Sequence, residues 1–158
     1  MTKSELLQLI QTHRAEWETL LARLDESRLT QPGVAGEWSL KDVIAHIARF
    51  EREMVGVARA KALVGSELWD VPQDQRNAAV FKQNRRRLLA EVLAEARTSF
   101  TEMVAAIETL SDDDLNDATH FAQMPVEWRP WKIIAENSYE HYAVHAATLR
   151  AWLEKNGN

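Results

Sequence analysis

The sequence contains no cysteine, and this absence excludes several kinds of site. The chain has no disulfide framework, no thiolate metal centre and no cysteine nucleophile. Any bound metal ion would have to be held by histidine and carboxylate side chains. A cysteine-free chain also fits a reducing compartment, so we expect a cytoplasmic protein.

Glycine and proline are scarce, with 5 and 4 residues, and they fall between long segments of helical periodicity. No segment alternates apolar and polar residues as a half-buried strand does. No apolar run approaches the roughly 18 residues of a membrane span. The amino-terminal residues lead directly into a charged amphipathic segment. We therefore predict a soluble, all-α protein with no membrane partner.

Basic residues are fewer than acidic ones. The chain has 19 Lys and Arg against 24 Asp and Glu, which gives a net charge of −5. A net negative surface repels phosphate backbones and anionic lipid, so we expect no nucleic acid partner. One basic cluster is present, at Lys82 and Arg85–Arg87. Such a run is typical of a solvated helix face, and binding of an anionic group of a substrate is the alternative.

The chain of 158 residues has the length of one domain, and we predict a single domain over residues 1–158. A chain of this size buries enough surface to fold without a metal. Capping boxes, apolar spacing and proline predict four long helices, which indicate an up-and-down four-helix bundle. They run from the capping box at Thr2 to about Leu24, from the capping box at Ser39 to near Gly65, from about Asp74 to Leu110, and from Pro130 onward.

The buried stripe of the last predicted helix is polar where Leu or Ile would be expected. It includes Asn137, His141, His145 and Thr148. The spacing of His141 and His145 puts both imidazoles on one face about one turn apart, where one divalent ion could bind both. Two partly buried histidines with hydrogen-bond partners are the alternative. Position 142 is Tyr rather than Glu, which argues against a helical zinc protease.

His46 lies on or beside the buried stripe of the second predicted helix, between Val43 and Phe50. It could therefore face the last helix, although a lone core histidine is the alternative. Three neutral imidazoles from two helices would leave coordination positions open, as in a catalytic metal site. Such a ligand set suits Zn²⁺, Ni²⁺ or Fe²⁺ almost equally.

Two further residues are weaker candidates for lining the site. His13 occupies a seam position of the first helix and either lines the same cavity or is a hydrogen-bonded core histidine. Asn137 lies one turn before His141, where it would orient that ligand or fix the helix register.

No carboxylate is placed as a general base. Glu140 points about 100° away from His141 around the helix, and Glu136 lies off the inward stripe. His120 has no helical partner, and we predict that it is exposed and outside the site.

Two segments resemble the signatures of DinB-like (YfiT-like) proteins. WSLKDVIAHI, residues 38–47, resembles their second helix, and NSYEHYAVH, residues 137–145, resembles their last helix. Residues 77–81 and 87–93 resemble the third helix of the ClbS/DfsB branch, so the likeness spans nearly the whole chain. The resemblance implies a four-helix bundle, frequently a homodimer, with a divalent metal ion on His46, His141 and His145.

The resemblance also implies two alternative functions. Relatives include thiol-dependent transferases and isomerases that use the metal to activate a low-molecular-weight thiol. They also include ClbS-type proteins that protect against toxic small molecules, some of which lack the histidine triad. We predict a metal-dependent transferase, isomerase or hydrolase that directs a thiol or water at an electrophilic small-molecule substrate, in detoxification or stress. The alternative is a non-catalytic bundle that sequesters a small molecule or forms a stress-related complex without obligatory metal.

Overall fold

The structure is a computed structural model that describes residues 1–64 and 71–157. Its elements in chain order are α1 (Lys3–Leu21), α2 (Glu26–Thr30), β1 (Pro32–Ala35), β2 (Trp38–Ser39), α3 (Leu40–Ala60), α4 (Gln73–Asn84), α5 (Leu89–Glu108), α6 (Asp112–Asn116), a 3₁₀ turn (Ala118–His120), α7 (Pro130–Glu136) and α8 (Tyr139–Asn156). The predicted all-α helical bundle is confirmed, with α1, α3, α5 and α8 as its long helices.

The long helices pack as two pairs. α3 packs mainly against α5, and α1 packs mainly against α8. We call these the α3/α5 pair and the α1/α8 pair. Most residues of α3 are buried, whereas α1 buries a single apolar stripe that includes Leu6, Ile10 and Trp17. None of the described helices combines the length and hydropathy needed to cross a bilayer.

Local side-chain hydrogen bonds start the helices where the sequence predicts. The N–H of Glu5 donates to Thr2 Oγ1 at 3.2 Å, and the N–H of Thr2 donates to Glu5 Oε2 at 2.7 Å. The same reciprocal pair forms at the start of α3. The ends are less well predicted, because α1 stops at Leu21 and α3 stops at Ala60. Gly65 lies outside the described residues.

The third predicted helix is not continuous, because the chain leaves helical geometry between Asn84 and Leu89. A tertiary contact stabilises this interruption. The ammonium of Lys41, on α3, donates to the carbonyls of Arg85 and Arg87 at 2.7 and 3.1 Å. Periodicity does not reveal such a partner, since it comes from a distant part of the chain.

The last predicted helix is also divided, at Asn137 and Ser138. Asn137 Nδ2 donates to the carbonyl of Ile133 at 2.7 Å, and Ser138 Oγ donates to that of Ile134 at 2.5 Å. The Ile133 carbonyl also accepts from the backbone N–H of Asn137 at 3.3 Å, whereas the N–H of Ser138 bonds to the Ala135 carbonyl at 3.1 Å. The Ser138 hydroxyl therefore satisfies the Ile134 carbonyl, which a continuous helix would pair with the Ser138 N–H. The rotation of α7 therefore does not follow from the periodicity of α8.

A small hairpin lies between α2 and α3. β1 and β2 pair in antiparallel fashion, with Pro32 opposite Ser39 and Ala35 opposite Trp38. Gly36 has a φ of 62°, which suits glycine and allows the tight turn between the strands. Strands this short carry too few residues to show an alternating pattern. The hairpin brings Trp38 to the start of α3.

Candidate metal centre

Three imidazole rings converge between α3 and α8. Nε2 of His141 lies 2.9 Å from Nε2 of His46 and 3.0 Å from Nε2 of His145. One potential ligand atom from each residue lies within 4.8 Å of the other two. His46 is buried, and the other two are half-buried. Because His46 belongs to the α3/α5 pair and the others to the α1/α8 pair, the cluster bridges the two pairs.

Hydrogen bonding cannot account for all the contacts among these rings. Nε2 of His141 contacts two other nitrogens, yet an imidazole nitrogen carries either one proton or one lone pair. Two nitrogens on one tetrahedral zinc ion lie about 3.3 Å apart for Zn–N bonds of 2.0–2.1 Å. The two separations from His141, 2.9 and 3.0 Å, are close to this value, and all three ligand atoms lie within 4.8 Å of one another, so the donor set fits one divalent ion.

Aromatic packing, rather than hydrogen bonding, orients two of the rings. Nδ1 of His46 and of His141 is buried without a hydrogen-bond partner among the described residues. The His46 ring instead lies edge-on to Phe50 and to Trp38, with centroids 4.7 and 5.3 Å apart. Trp38 in turn stacks on Phe81 of α4 at 5.3 Å. The hairpin and α4 therefore help to hold His46.

Burial keeps the three histidines neutral. It lowers the pKa of His46 to about 3, with smaller effects of His145 and Arg76 in the same direction. It also lowers the pKa of His145 to about 4 and that of His141 well below its usual range. Neutral imidazole is the form that binds a metal ion, so all three side chains have the required protonation state at neutral pH.

A cavity of about 350 Å³ opens onto His46 and His141. Its wall carries a cation, Arg76, a carboxylate, Glu136, and three side-chain amides. The full lining is His46, Phe50, Gln73, Arg76, Asn77, Trp128, Ile133, Glu136, Asn137 and His141. The cavity is large enough for a small polar molecule beside the histidine cluster.

The weaker candidates from the sequence occupy different places. Asn137 lies in the cavity wall and donates to its own helix. His13 is half-buried, and its ring stacks on Tyr139 with centroids 5.8 Å apart. His120 is exposed and pairs with Asp114 at 3.0 Å, away from the cluster.

Glu136 supplies the carboxylate of the cavity wall, a place that the sequence does not predict. Its position off the inward stripe is as expected, because Glu136 is exposed and its Oε1 lies 3.9 Å from Lys132 Nζ. The cavity nevertheless reaches this residue at the end of α7. Periodicity does not predict the division of the helix at Asn137 and Ser138, and the local hydrogen-bonding capacity of these two side chains is its available signal.

Sequence reasoning also missed a buried polar network of Arg14, Glu51, Ser99 and Tyr142, which we call the Glu51 network. Glu51 is fully buried, and its Oε1 accepts from Arg14 Nη1 and from the Tyr142 hydroxyl, each at 2.6 Å. Its Oε2 accepts from Ser99 Oγ at 2.5 Å. Burial raises the pKa of the Glu51 carboxyl, while these partners lower it.

The basic cluster is mostly exposed. Lys82, Arg85 and Arg86 are exposed, while Arg87 is half-buried and forms an ion pair with Glu95. For the exposed three, the described residues provide no ion-pair partner. This is a small positive surface on a chain whose net charge is negative.

Comparison with known proteins identifies relatives of this fold. The family model of the DinB superfamily matches residues 2–149. Among curated proteins, no sequence matches the chain significantly. Colibactin self-resistance protein ClbS, solved in complex with a dsDNA, superposes with a TM-score of 0.80 at 15% identity, covering 99% of this chain and 98% of ClbS.

Two other solved structures are similar. DfsB, described as a sibling lethal factor precursor, has a TM-score of 0.76 at 17% identity, covering 98% of this chain and 96% of DfsB. A mutant of a mycothiol-dependent maleylpyruvate isomerase has a TM-score of 0.70 at 13% identity, covering 94% of this chain and 61% of the isomerase. The likeness to the ClbS/DfsB branch that the sequence showed is confirmed.

The expectation that nucleic acid is excluded as a partner is wrong. ClbS has the same fold and is in complex with a dsDNA. The expectation rested on net charge, which is a sum over the whole surface and says nothing about its distribution. A chain with a net charge of −5 still presents the local basic surface of Lys82, Arg85 and Arg86.

Proposed function

Because the chain belongs to the DinB superfamily, we propose that it binds one divalent metal ion through His46, His141 and His145 and acts on a small molecule. The contact of one imidazole nitrogen with two others carries this proposal. A bound divalent ion supplies Lewis acidity, which lowers the pKa of a thiol or a water molecule and provides a nucleophile near neutral pH.

The chain's own residues provide the surroundings for such a reaction. Three histidine ligands leave room in the coordination sphere for a further group. The cavity admits an electrophilic small molecule, whose anionic group Arg76 would attract, and Glu136 would accept a proton. The reaction class is transfer, isomerisation or hydrolysis, in which a low-molecular-weight thiol or water attacks the substrate. The mycothiol-dependent isomerase of similar fold supports the use of a thiol.

The ligand set also bears on the identity of the metal. Three neutral imidazoles suit Zn²⁺, Ni²⁺ and Fe²⁺, and we propose one of these as the resident ion. The affinity of nitrogen ligands for these ions follows a general order that rises from Fe²⁺ to Ni²⁺ in any such site. Affinity therefore does not select the ion, and the availability of each metal in the cell decides which one is bound.

Metal analysis of the purified protein tests the proposal, and the protein should be free of a polyhistidine tag. We expect one zinc or nickel ion per chain, and calorimetric titration of the metal-free protein with Zn²⁺ should give one site. His141→Ala should abolish this site. The matched control is His120→Ala, which removes an exposed histidine outside the cluster and should bind Zn²⁺ like the wild type.

A protein that neither contains nor binds a metal ion would contradict the proposal. It would favour the alternative, sequestration of a small molecule in the cavity without metal. Catalysis is tested separately, with zinc-loaded protein, a low-molecular-weight thiol and a chromogenic electrophile. Thiol adduct formation that depends on His141 supports a transferase, whereas a metal-loaded protein without such activity supports a binding role.

A second candidate function is binding of dsDNA, which the exposed basic surface favours. Lys82, Arg85 and Arg86 form this surface, and ClbS of similar fold is in complex with a dsDNA. Fluorescence anisotropy with a labelled duplex tests it. Glu substitutions at all three positions should abolish binding, whereas a double variant at the exposed Arg23 and Lys155 should retain it. Absence of binding by the wild type at low salt would contradict this candidate.

We also propose that the chain forms a homodimer, as the resemblance implies. Sedimentation equilibrium at micromolar concentration should then give twice the chain mass of 18.1 kDa. A mass equal to that of one chain would contradict the dimer.

A further inference from the structure

The candidate metal centre depends on how the two helix pairs sit against each other. α3 packs mainly against α5, and α1 mainly against α8. His46 comes from the first pair, and His141 and His145 from the second. The separation of His46 from His141 is therefore set by the contact between the pairs, and not by the geometry of a single helix.

The Glu51 network crosses the same boundary. Glu51 and Ser99 belong to the α3/α5 pair, while Arg14 and Tyr142 belong to the α1/α8 pair. The bonds from Arg14 Nη1 and the Tyr142 hydroxyl to Glu51 Oε1, both 2.6 Å long, therefore join the pairs. The bond from Ser99 Oγ to Glu51 Oε2 lies within one pair. All four side chains are buried.

The network also lies close to the histidines along both helices. Tyr142 directly follows His141 on α8, and Glu51 is little more than one turn from His46 on α3. A helix is stiff over this distance, at about 1.5 Å of rise per residue. Fixing the Tyr142 hydroxyl on Glu51 therefore also fixes the neighbouring turn of α8 against α3.

We propose that Glu51 and Tyr142 are positioning residues for the metal centre. Their hydrogen bond holds α8 on α3 so that the Nε2 atoms of His46 and His141 lie within reach of one ion. This inference rests on the proposed function. It predicts that the Tyr142 hydroxyl contributes to metal affinity although it makes no contact with the ligand nitrogens in the structure.

Two conservative substitutions separate positioning from general stability. Tyr142→Phe removes one hydroxyl that bonds to Glu51 across the pairs. Ser99→Ala removes one hydroxyl that bonds to the same carboxylate within a pair. Each variant leaves the buried Glu51 carboxylate with one hydrogen bond fewer. Both should therefore lower the midpoint of urea unfolding by similar amounts. Only the first should affect the approach of α8 to α3.

Zinc affinity and the visible spectrum of bound Co²⁺ are the measurements. Loss of a partner that orients metal ligands weakens metal binding about 10- to 100-fold, and we expect a loss of this size for Tyr142→Phe. Its Co²⁺ spectrum should also change, because the ligand geometry changes. Ser99→Ala should bind Zn²⁺ within about threefold of the wild type, well below that range. Wild-type affinity in Tyr142→Phe, or an equal loss in both variants, would overturn the proposal.

A second measurement needs no metal. Since the chain lacks cysteine, spin labels can be placed on cysteines at the exposed Ala60 of α3 and Ala147 of α8. We expect a narrow distance distribution for the wild-type and Ser99→Ala proteins, and a broader or shifted one for Tyr142→Phe. Three identical distributions would overturn the proposal. A wild type that binds no Zn²⁺ would contradict the proposed function, and the spin-label distances alone would then decide on the positioning role.

Discussion

His141 is the central residue of the cluster, because its Nε2 contacts both other imidazoles. Removing it should therefore abolish stabilisation by metal. A ligand at a hundred times its Kd stabilises the native state by about 2.7 kcal/mol, which raises Tm by about 5–10 °C for a chain of this size. We expect such a rise when Zn²⁺ is added to the wild type, and none for His141→Ala, by differential scanning fluorimetry. Equal rises in both proteins would show that Zn²⁺ binds elsewhere.

At the scale of single residues, the sequence predicts the convergence of the histidines but not the groups around them. His141 and His145 share a helix, so their juxtaposition follows from local geometry. The partners of Glu51 lie on three other helices, so no local pattern reveals them. A rotation of about 100° separates His13 from Arg14. The structure buries Arg14 in the seam and leaves His13 half-buried.

At the scale of elements, Lys41 stabilises the interruption between α4 and α5. Its ammonium is largely buried and donates to two carbonyls of the interruption. Lys41→Met keeps most of the side-chain volume but leaves these carbonyls without the donor. We expect a loss of about 1.5–3 kcal/mol in the free energy of unfolding, the usual range for a hydrogen bond to a charged group. Urea unfolding measures it, and the exposed Lys155→Met should change stability by less than about 0.5 kcal/mol.

Asp114 joins the start of α6 to the end of α3. Its carboxylate accepts from Lys61 Nζ at 2.8 Å and from the backbone N–H of Ser111 at 2.9 Å. These partners hold the pKa of Asp114 well below its usual value, the Lys61 hydrogen bond being the largest cause. A carboxylate with a depressed pKa in the folded state stabilises the protein above its unfolded pKa of about 3.9, and this stability is lost as pH falls through the folded value.

Asp114→Asn should therefore cost stability in a pH-dependent way. At pH 7 we expect a loss of about 1–2 kcal/mol, mainly from the helix cap, because Lys61 is exposed and its ion pair is weak. Below pH 3 the difference between the two proteins should shrink, because the Asp114 carboxyl is then protonated in the unfolded chain but still charged in the folded protein, which favours unfolding of the wild type. Urea unfolding at both pH values measures the two differences. A loss that does not depend on pH would contradict the role of the charged carboxylate.

Helix starts are predicted better than helix interruptions. The capping boxes at Thr2, Ser39 and Ser111 form within four consecutive residues, so the sequence contains all of their parts. The interruption after Asn84 depends on Lys41, which lies on another helix. Without knowledge of that contact, Arg85–Arg87 resemble an ordinary helical segment. The break at Ser138 involves a side-chain hydrogen bond to the Ile134 carbonyl, which periodicity does not show either.

At the scale of the whole molecule, the Glu51 network joins all four long helices through buried hydrogen bonds. We therefore expect residues 1–158 to unfold as one cooperative domain. Far-ultraviolet circular dichroism reports on all helices, while fluorescence reports on the six tryptophans of the chain, among them the buried Trp17 of α1 and Trp152 of α8. Their urea transitions should coincide. Two separated transitions would contradict a single domain.

The pairing of α1 with α8 has a consequence for the order of events during synthesis. Translation proceeds from the amino terminus at about 5–20 residues per second, so α1 leaves the ribosome long before its partner exists. The α3/α5 pair can assemble earlier, but α1 meets its main partner only when residues 139–156 have emerged. Until then we expect the apolar stripe of Leu6, Ile10 and Trp17 to lack its main cover. His141 and His145 arrive on the same late helix, so the complete three-histidine cluster forms only after that helix has emerged.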